Sequence, residues 1–134
     1  MNTPSPRSPR SRRPVRLIVG GLLVLAIAGV ALTLVFRAML DPGDPVGGVT
    51  EVSVRDSEFD PAAVEVPAGS TLTWNWEGEE EHNVIGDAFE SPNQVTGEFA
   101  HTFTEPGTYS YRCTLHYFMR GEVVVTDRDS AWQE

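Results

Sequence analysis

Lysine is absent from this 134-residue chain, and all ten basic residues are Arg. Asp and Glu are absent from its first 40 residues, which hold six of those Arg: Arg7, Arg10, Arg12, Arg13, Arg16 and Arg37. The rest of the chain therefore carries all 19 acids against four Arg, a formal −15 that the whole-chain value of −9 conceals. So acidic a body excludes the phosphate backbone of nucleic acid as its main partner. Cysteine is nearly absent too, with Cys113 alone. One Cys excludes an intramolecular disulfide, a Cys₄ or Cys₂His₂ zinc site and C-x-x-C-H haem attachment. It leaves a free thiol, a nucleophile, an intermolecular bridge or one thiolate on a metal. Only three histidines are present, and no stretch of the body offers a sustained helical stripe.

What is there divides by composition. Residues 1–16 are Pro, Ser and Arg with nothing to pack, and read as a disordered basic arm. Residues 17–36, LIVGGLLVLAIAGVALTLVF, follow without a charge. Twenty helical residues span roughly 30 Å, about the hydrocarbon thickness of a bilayer. Five Arg precede the run and Arg37 follows it, so the positive-inside rule puts the N-terminus in the cytoplasm and the acidic body outside. A cleaved signal peptide is the rival reading, but its apolar region is shorter, about 7–15 residues. The A-x-A sequence Ala26-Ile27-Ala28 also lies in mid-run. The expectation is an uncleaved, single-pass anchor in the cell membrane, with residues 37–48 as a Pro- and Gly-containing linker.

From Val49 the hydrophobic period becomes two. Val52 and Val54, Val64 and Val66, and Leu72, Trp74 and Trp76 each share a face, and Val123 to Val125 closes the set. The runs Phe99 to Thr104 and Thr108 to Cys113 are joined by Glu105-Pro106-Gly107, which reads as hairpin chemistry. Short strands between turn signals predict a small antiparallel β-sandwich over 49–126, with 127–134 as a polar tail.

Chemistry concentrates in YRCTLHYFMRGEVVV. Cys113, His116 and Met119 stand three apart within one loop, and His82 lies 31 residues upstream in EEEHNV. Singly, each has a plain reading: Met as core filler, His as a solvated residue beside acids, Cys as a small buried hydrophobe. Together they are one thiolate, two imidazoles and one thioether. That soft set matches a trigonal His₂Cys copper site with a long axial Met. A strand–loop–strand can turn three donors to one point while the fourth arrives from a neighbouring strand. A hydrolase with Cys113 as nucleophile would place its His too near along the chain and leave Met119 unexplained. His101, the third His, has no metal spacing around it.

These motifs resemble the cupredoxins of the plastocyanin and amicyanin group, over about Val49 to Thr126. The marks are F-x-P-x-x-V-x-V in Phe59 to Val66, A-G-x-x-L-x-W in Ala68 to Trp74, H-N-V in His82 to Val84, and F-T-E-P-G-T-Y-x-Y-x-C-x-x-H-x-x-M-R-G-x-V-V-V in Phe103 to Val125. The C-x-x-H-x-x-M spacing is similar to that of amicyanins. The resemblance implies a Greek-key β-sandwich, all-β beyond the single N-terminal transmembrane helix, holding one type 1 copper ion. His82, Cys113 and His116 would be equatorial ligands and Met119 the axial one. Asn83 and Thr114 would tie the two ligand segments together. The edge of His116, framed by Leu115, Tyr117 and Phe118, would be the electron port. The function implied is not enzymatic. It is single-electron transfer between extracytoplasmic, membrane-associated redox partners, a donor and an acceptor. A copper carrier or sensor is the alternative.

Two features depart from the pattern. Leu115 and Tyr117 stand where amicyanin-like loops carry Pro, so the loop loses two fixed φ angles. Trp76 takes a position often held by Asn, and a buried indole there needs a partner for its N–H. The acidic run Glu77-Gly78-Glu79-Glu80-Glu81 reads either as a solvated loop or as a docking patch for a basic partner.

Overall fold

A computed structural model describes residues 13–128 of the chain. The basic arm before Arg13 and the end of the tail, residues 129–134, lie outside the described residues. The chain divides into two compact units between Met39 and Leu40. The first is one helix, α1 (Arg13–Leu40), longer at both ends than the 17–36 of the apolar run. Residues Ile18–Leu40 have a mean hydropathy of 2.7 and are long and apolar enough to cross a membrane. Thr33, the one hydroxyl in the run, returns its proton to the helix by bonding the carbonyls of Gly29 and Val30. That satisfies a group that an apolar setting would otherwise leave unpaired.

The second unit is a two-sheet sandwich. Its strands are β1 (Val46–Gly47), β2 (Glu51–Arg55), β3 (Glu58–Asp60), β4 (Ala63–Pro67), β5 (Ser70–Trp76), β6 (Ile85–Gly86), β7 (Gly97–Phe103), β8 (Gly107–Arg112) and β9 (Arg120–Thr126). One sheet runs β1-β4-β9-β8-β6 and the other β3-β2-β5-β7. The period-two faces behave as the sequence predicts. Val52, Val54, Leu72, Trp74, Trp76, Val64, Val66, Val123 and Val125 all point into one buried core. Trp74 fills its centre, stacked on Phe89 at 5.3 Å and edge-on to Tyr111 at 5.3 Å.

Two expectations need correction. The sandwich is mixed rather than antiparallel, because β2 pairs β5 and β4 pairs both β1 and β9 in parallel. Alternation fixes which face a residue takes but not which way its neighbour runs. Nor is Glu105-Pro106-Gly107 a hairpin. β7 pairs β5 in one sheet and β8 pairs β9 in the other, so this turn carries the chain across the sandwich rim. Gly107, at φ 153°, makes that bend, and the Tyr109 hydroxyl braces it by donating to the Glu105 carbonyl at 2.9 Å.

Val46–Gly47, within the segment read as linker, adds a short strand beside β4. His101 lies on the edge strand β7 and rests on Phe89 and Phe103, with ring centroids 5.0 and 4.8 Å away.

Gly121 lies hard against the core near the site. A Cβ there would overlap the ring of Tyr111, which is already packed against Phe59 and Trp74. Gly121→Ala should therefore destabilise the sandwich by about 1–3 kcal/mol through overpacking. Chemical denaturation of the copper-free protein measures this.

Candidate metal centre

Strands β8 and β9 pair up to Arg112↔Arg120, so residues 113–119 form the loop that closes this pair. The ladder continues into the loop. The Cys113 amide donates to the Met119 carbonyl at 3.0 Å, and the Met119 amide to the His116 carbonyl at 3.1 Å. These two bonds fold the loop so that its three candidate donors belong to one compact turn. Cys113 and Met119, flanking it, are buried.

His82 arrives from the segment between β5 and β6. Its backbone exchanges two 3.0 Å hydrogen bonds with Gln94, a single antiparallel bridge. The Trp76 indole also donates to the His82 carbonyl, at 3.2 Å. That is the partner the buried Trp76 requires, and it ties the end of β5 to the backbone of His82.

The structure brings together His82, Cys113 and His116, whose ligand atoms lie within 4.8 Å of one another. Cys113 Sγ is 3.8 Å from His82 Nδ1 and 3.7 Å from His116 Nδ1. These separations test the fit to an ion. Metal bonds of about 2.3 Å to sulfur and about 2.0–2.1 Å to imidazole nitrogen span separations of this size, so one ion could bridge the three donors. One thiolate and two imidazoles are the donor set of a His₂Cys copper site. His101 is not part of the group.

Asn83 and Thr114 join the two segments as the sequence predicts. The Thr114 amide donates to Asn83 Oδ1 at 2.8 Å, and Asn83 Nδ2 donates to Thr114 Oγ1 at 2.7 Å. Asn83 Nδ2 also donates to Asn93 Oδ1 at 2.7 Å.

Two carboxylates were not legible as site residues. Asp56, in the turn between β2 and β3, places Oδ1 3.2 Å from His82 Nε2. Glu80 places Oε2 3.0 Å from His116 Nε2. Each carboxylate lies against the ring nitrogen that faces away from Cys113. An ionised carboxylate there favours the tautomer with its proton on Nε2, which leaves Nδ1 toward the sulfur. Asp56 is held in turn by the Glu80 and Glu79 amides. These bonds, and then the His82 ring, keep its carboxyl below the ordinary aspartate range. Glu80 carries a sequence signal, standing two residues before His82. Asp56 carries none, because it is 26 residues away.

Around the site, Leu115, Tyr117 and Phe118 are exposed, the last two by more than 60 %. Tyr117 and Phe118 pack edge to face at 5.1 Å, and the Arg120 guanidinium lies over Tyr117.

A mixed Greek-key sandwich with a Cys and two His gathered beside one inter-strand loop that ends in a buried Met defines a type 1, or blue-copper, electron-transfer protein. The chain belongs to the cupredoxin-like domain family, which matches residues 24–125. It is similar to amicyanin from Paracoccus denitrificans, 34 % identical over 116 residues that cover 76 % of this chain and 88 % of that one. It is also similar to halocyanin from Natronomonas pharaonis, 39 % identical over 93 residues, 61 % of this chain and 56 % of the halocyanin. Among solved structures, a purple cupredoxin from Nitrosopumilus maritimus superposes with a TM-score of 0.55 at 25 % identity, covering 58 % of this chain and all of that one. The cofactor of this family is one type 1 copper ion, and the donor set here fits it.

Two predictions follow from these bonds. Asn83→Ala removes the buried side chain that bonds the Thr114 amide and hydroxyl, and because Thr114 itself is exposed to water it should destabilise the copper-free protein by about 1–2 kcal/mol in denaturant unfolding. Asp56 has a depressed folded pKa, so its contribution is complete above the ordinary value of 3.8 and is lost as pH falls through the lower folded value. Acid unfolding of an Asp56→Asn variant should therefore be less steep in that window than that of the unsubstituted chain.

Proposed function

We propose that this chain is a membrane-tethered copper protein that passes single electrons between redox partners on the outer side of the membrane, and that it is not an enzyme. The observation that carries the reading is the convergence of His82 Nδ1, Cys113 Sγ and His116 Nδ1 within reach of one ion. His82, Cys113 and His116 would be the equatorial ligands, with Met119 from the loop's end as the axial one. Copper held there supplies a one-electron Cu(I)/Cu(II) couple.

The protein's own residues account for the rest. Cys113, packed in the core, must give up its proton to bind, so metal uptake is coupled to proton release. Main-chain bonds at both ends of the 113–119 loop keep its donors in place whether the ion is oxidised or reduced, and a fixed donor set needs little rearrangement on electron transfer. His82, Cys113 and Met119 are buried, so water is kept from three of the four donors. His116 keeps 29 % of its side-chain surface and is the route by which an electron leaves. Leu115, Tyr117 and Phe118 around it give a partner an apolar surface to dock on. The same burial favours retention of the ion over the transfer expected of a copper carrier.

The helix supports the location. With Arg before the apolar run and the acids after it, the positive-inside rule puts the copper domain outside the cytoplasm. A tether of this length keeps the domain close to the bilayer, where membrane-associated donors and acceptors are found.

Full-length protein in detergent, given Cu(II), should develop an intense visible thiolate-to-copper band and a reversible one-electron wave. Cys113→Ser should abolish both. A colourless wild type, or a band that survives the substitution, would falsify the reading. Exchangeable copper without a reversible couple would move it to the carrier.

A further inference from the structure

The acidic run between β5 and His82 is bound from below. Asp56 Oδ1 and Oδ2 accept the Glu79 amide at 3.0 and 3.2 Å, and Oδ1 accepts the Glu80 amide at 2.9 Å. Gly78 lies directly against this carboxylate. A Cβ there would overlap it and stand 2.9 Å from the Asp56 backbone nitrogen. The run is thus shaped to seat Asp56, and its one residue without a side chain is where the seat is closest. The same Oδ1 reaches His82 Nε2. Glu80, whose amide Asp56 holds, extends its own carboxylate to His116 Nε2.

We propose that Asp56 is the positioning residue of the copper centre, orienting His82 directly and His116 through Glu80. This rests on the ligand assignment above. The loop needs such a brace. Leu115 and Tyr117 leave it two more free φ angles than Pro would, and nothing within residues 113–119 bonds the His116 ring other than Cys113 among the described contacts. A contact from outside the loop supplies the restraint. One carboxylate, planted in a different turn, thus sets the angle of one imidazole and the height of the segment that sets the other. The effect is also electronic. A carboxylate on the distal N–H makes an imidazole more basic, and a more basic ligand favours the more highly charged ion. Losing Asp56 should raise the reduction potential as well as loosen the site.

The test uses full-length protein in detergent and the variants Asp56→Ala, Asp56→Asn, Gly78→Ala and Glu80→Gln. Nitrogen-15 NMR of the copper-free protein reads which ring nitrogen of each histidine carries the proton. The potential and the rate of copper loss to a chelator are read on the loaded protein. Asp56→Ala should change the ring signals of both His82 and His116, raise the potential, and weaken copper retention by about 10–100-fold. Glu80→Gln should change His116 alone. A fifth protein carrying both Asp56→Ala and Glu80→Gln should match Asp56→Ala at His116, because the two act in series and not additively. Gly78→Ala, which keeps the carboxylate but displaces it, should move every reading in the direction of Asp56→Ala. Unchanged His116 signals in Asp56→Ala, or simple addition in the double variant, overturns the proposal. So does a loss of thermal stability with ring signals and potential unmoved, which is what a merely structural turn residue would give. Should Asp56→Ala fail to fold, Asp56→Asn keeps an oxygen for the loop amides and removes the charge, and an unmoved potential there overturns the proposal equally. A wild type that forms no coloured site defeats the ligand assignment. A coloured wild type with an unaltered Asp56→Ala defeats only the role of Asp56.

Discussion

Everything at the metal centre depends on the two hydrogen bonds between Asn83 and Thr114. His82 and Cys113 belong to different excursions of the chain, 31 residues apart, and the β6–β8 ladder that joins these excursions stops at Ile85↔Arg112, short of both residues. A side-chain amide is suited to the task because it offers a donor and an acceptor on one rigid plane. Asn83 accepts the Thr114 amide and donates to the Thr114 hydroxyl, so the two backbones are fixed in both distance and rotation. Asn83 is buried, and bonds in such a setting are costly to leave unmade. The residues next to His82 and Cys113 therefore hold the two segments together.

The sandwich exists to make that junction stiff. Trp74 sits on the same strand as Trp76, and its ring is packed by Phe89, Phe99, Phe103 and Tyr111 from both sheets. Trp76, two residues on and facing the same core, is at the strand's end, where its indole nitrogen reaches the His82 carbonyl. The core thus continues into the site without a break. On the opposite sheet, Cys113 and Met119 follow and precede strands whose pairing is complete to the last residue before the loop. The donors are extensions of packed strands, which is more exact than donors on a free loop.

The sequence was most readable where chemistry demands particular residue types. With one Cys and three His the set of candidate donors was narrow, and three of the candidates that the sequence singles out, His82, Cys113 and His116, do lie together. The core faces were readable for a similar reason, since period two leaves one assignment per strand. Strand direction was not readable, because parallel and antiparallel neighbours bury the same alternating residues. The Pro-Gly turn misled because turn chemistry says that the chain reverses, not whether it returns to the same sheet. Trp76 was visible as an anomaly, and its bond partner was not, since that partner is a carbonyl, which every residue has. Asp56 was hidden more completely. Aspartate in a turn is common, and its role arises only from where the β2–β3 turn and the 77–81 segment meet in space.

The two imidazoles are held to different degrees, and the difference suits what the site has to do. His82 is fully buried, bridged on its backbone by Gln94, bonded at its carbonyl by Trp76 and at its ring by Asp56. His116 sits mid-loop, keeps an exposed edge, and meets one partly exposed carboxylate. An electron carrier needs opposite things of its site. Water must be kept out so that the donor set stays fixed, yet some atom bonded to the metal must reach the surface, because electron transfer weakens steeply with distance. Distributing these demands over the two imidazoles avoids the conflict. The inner one, His82, is immobilised by the fold at no cost to access, while the outer one, His116, keeps an edge at the surface.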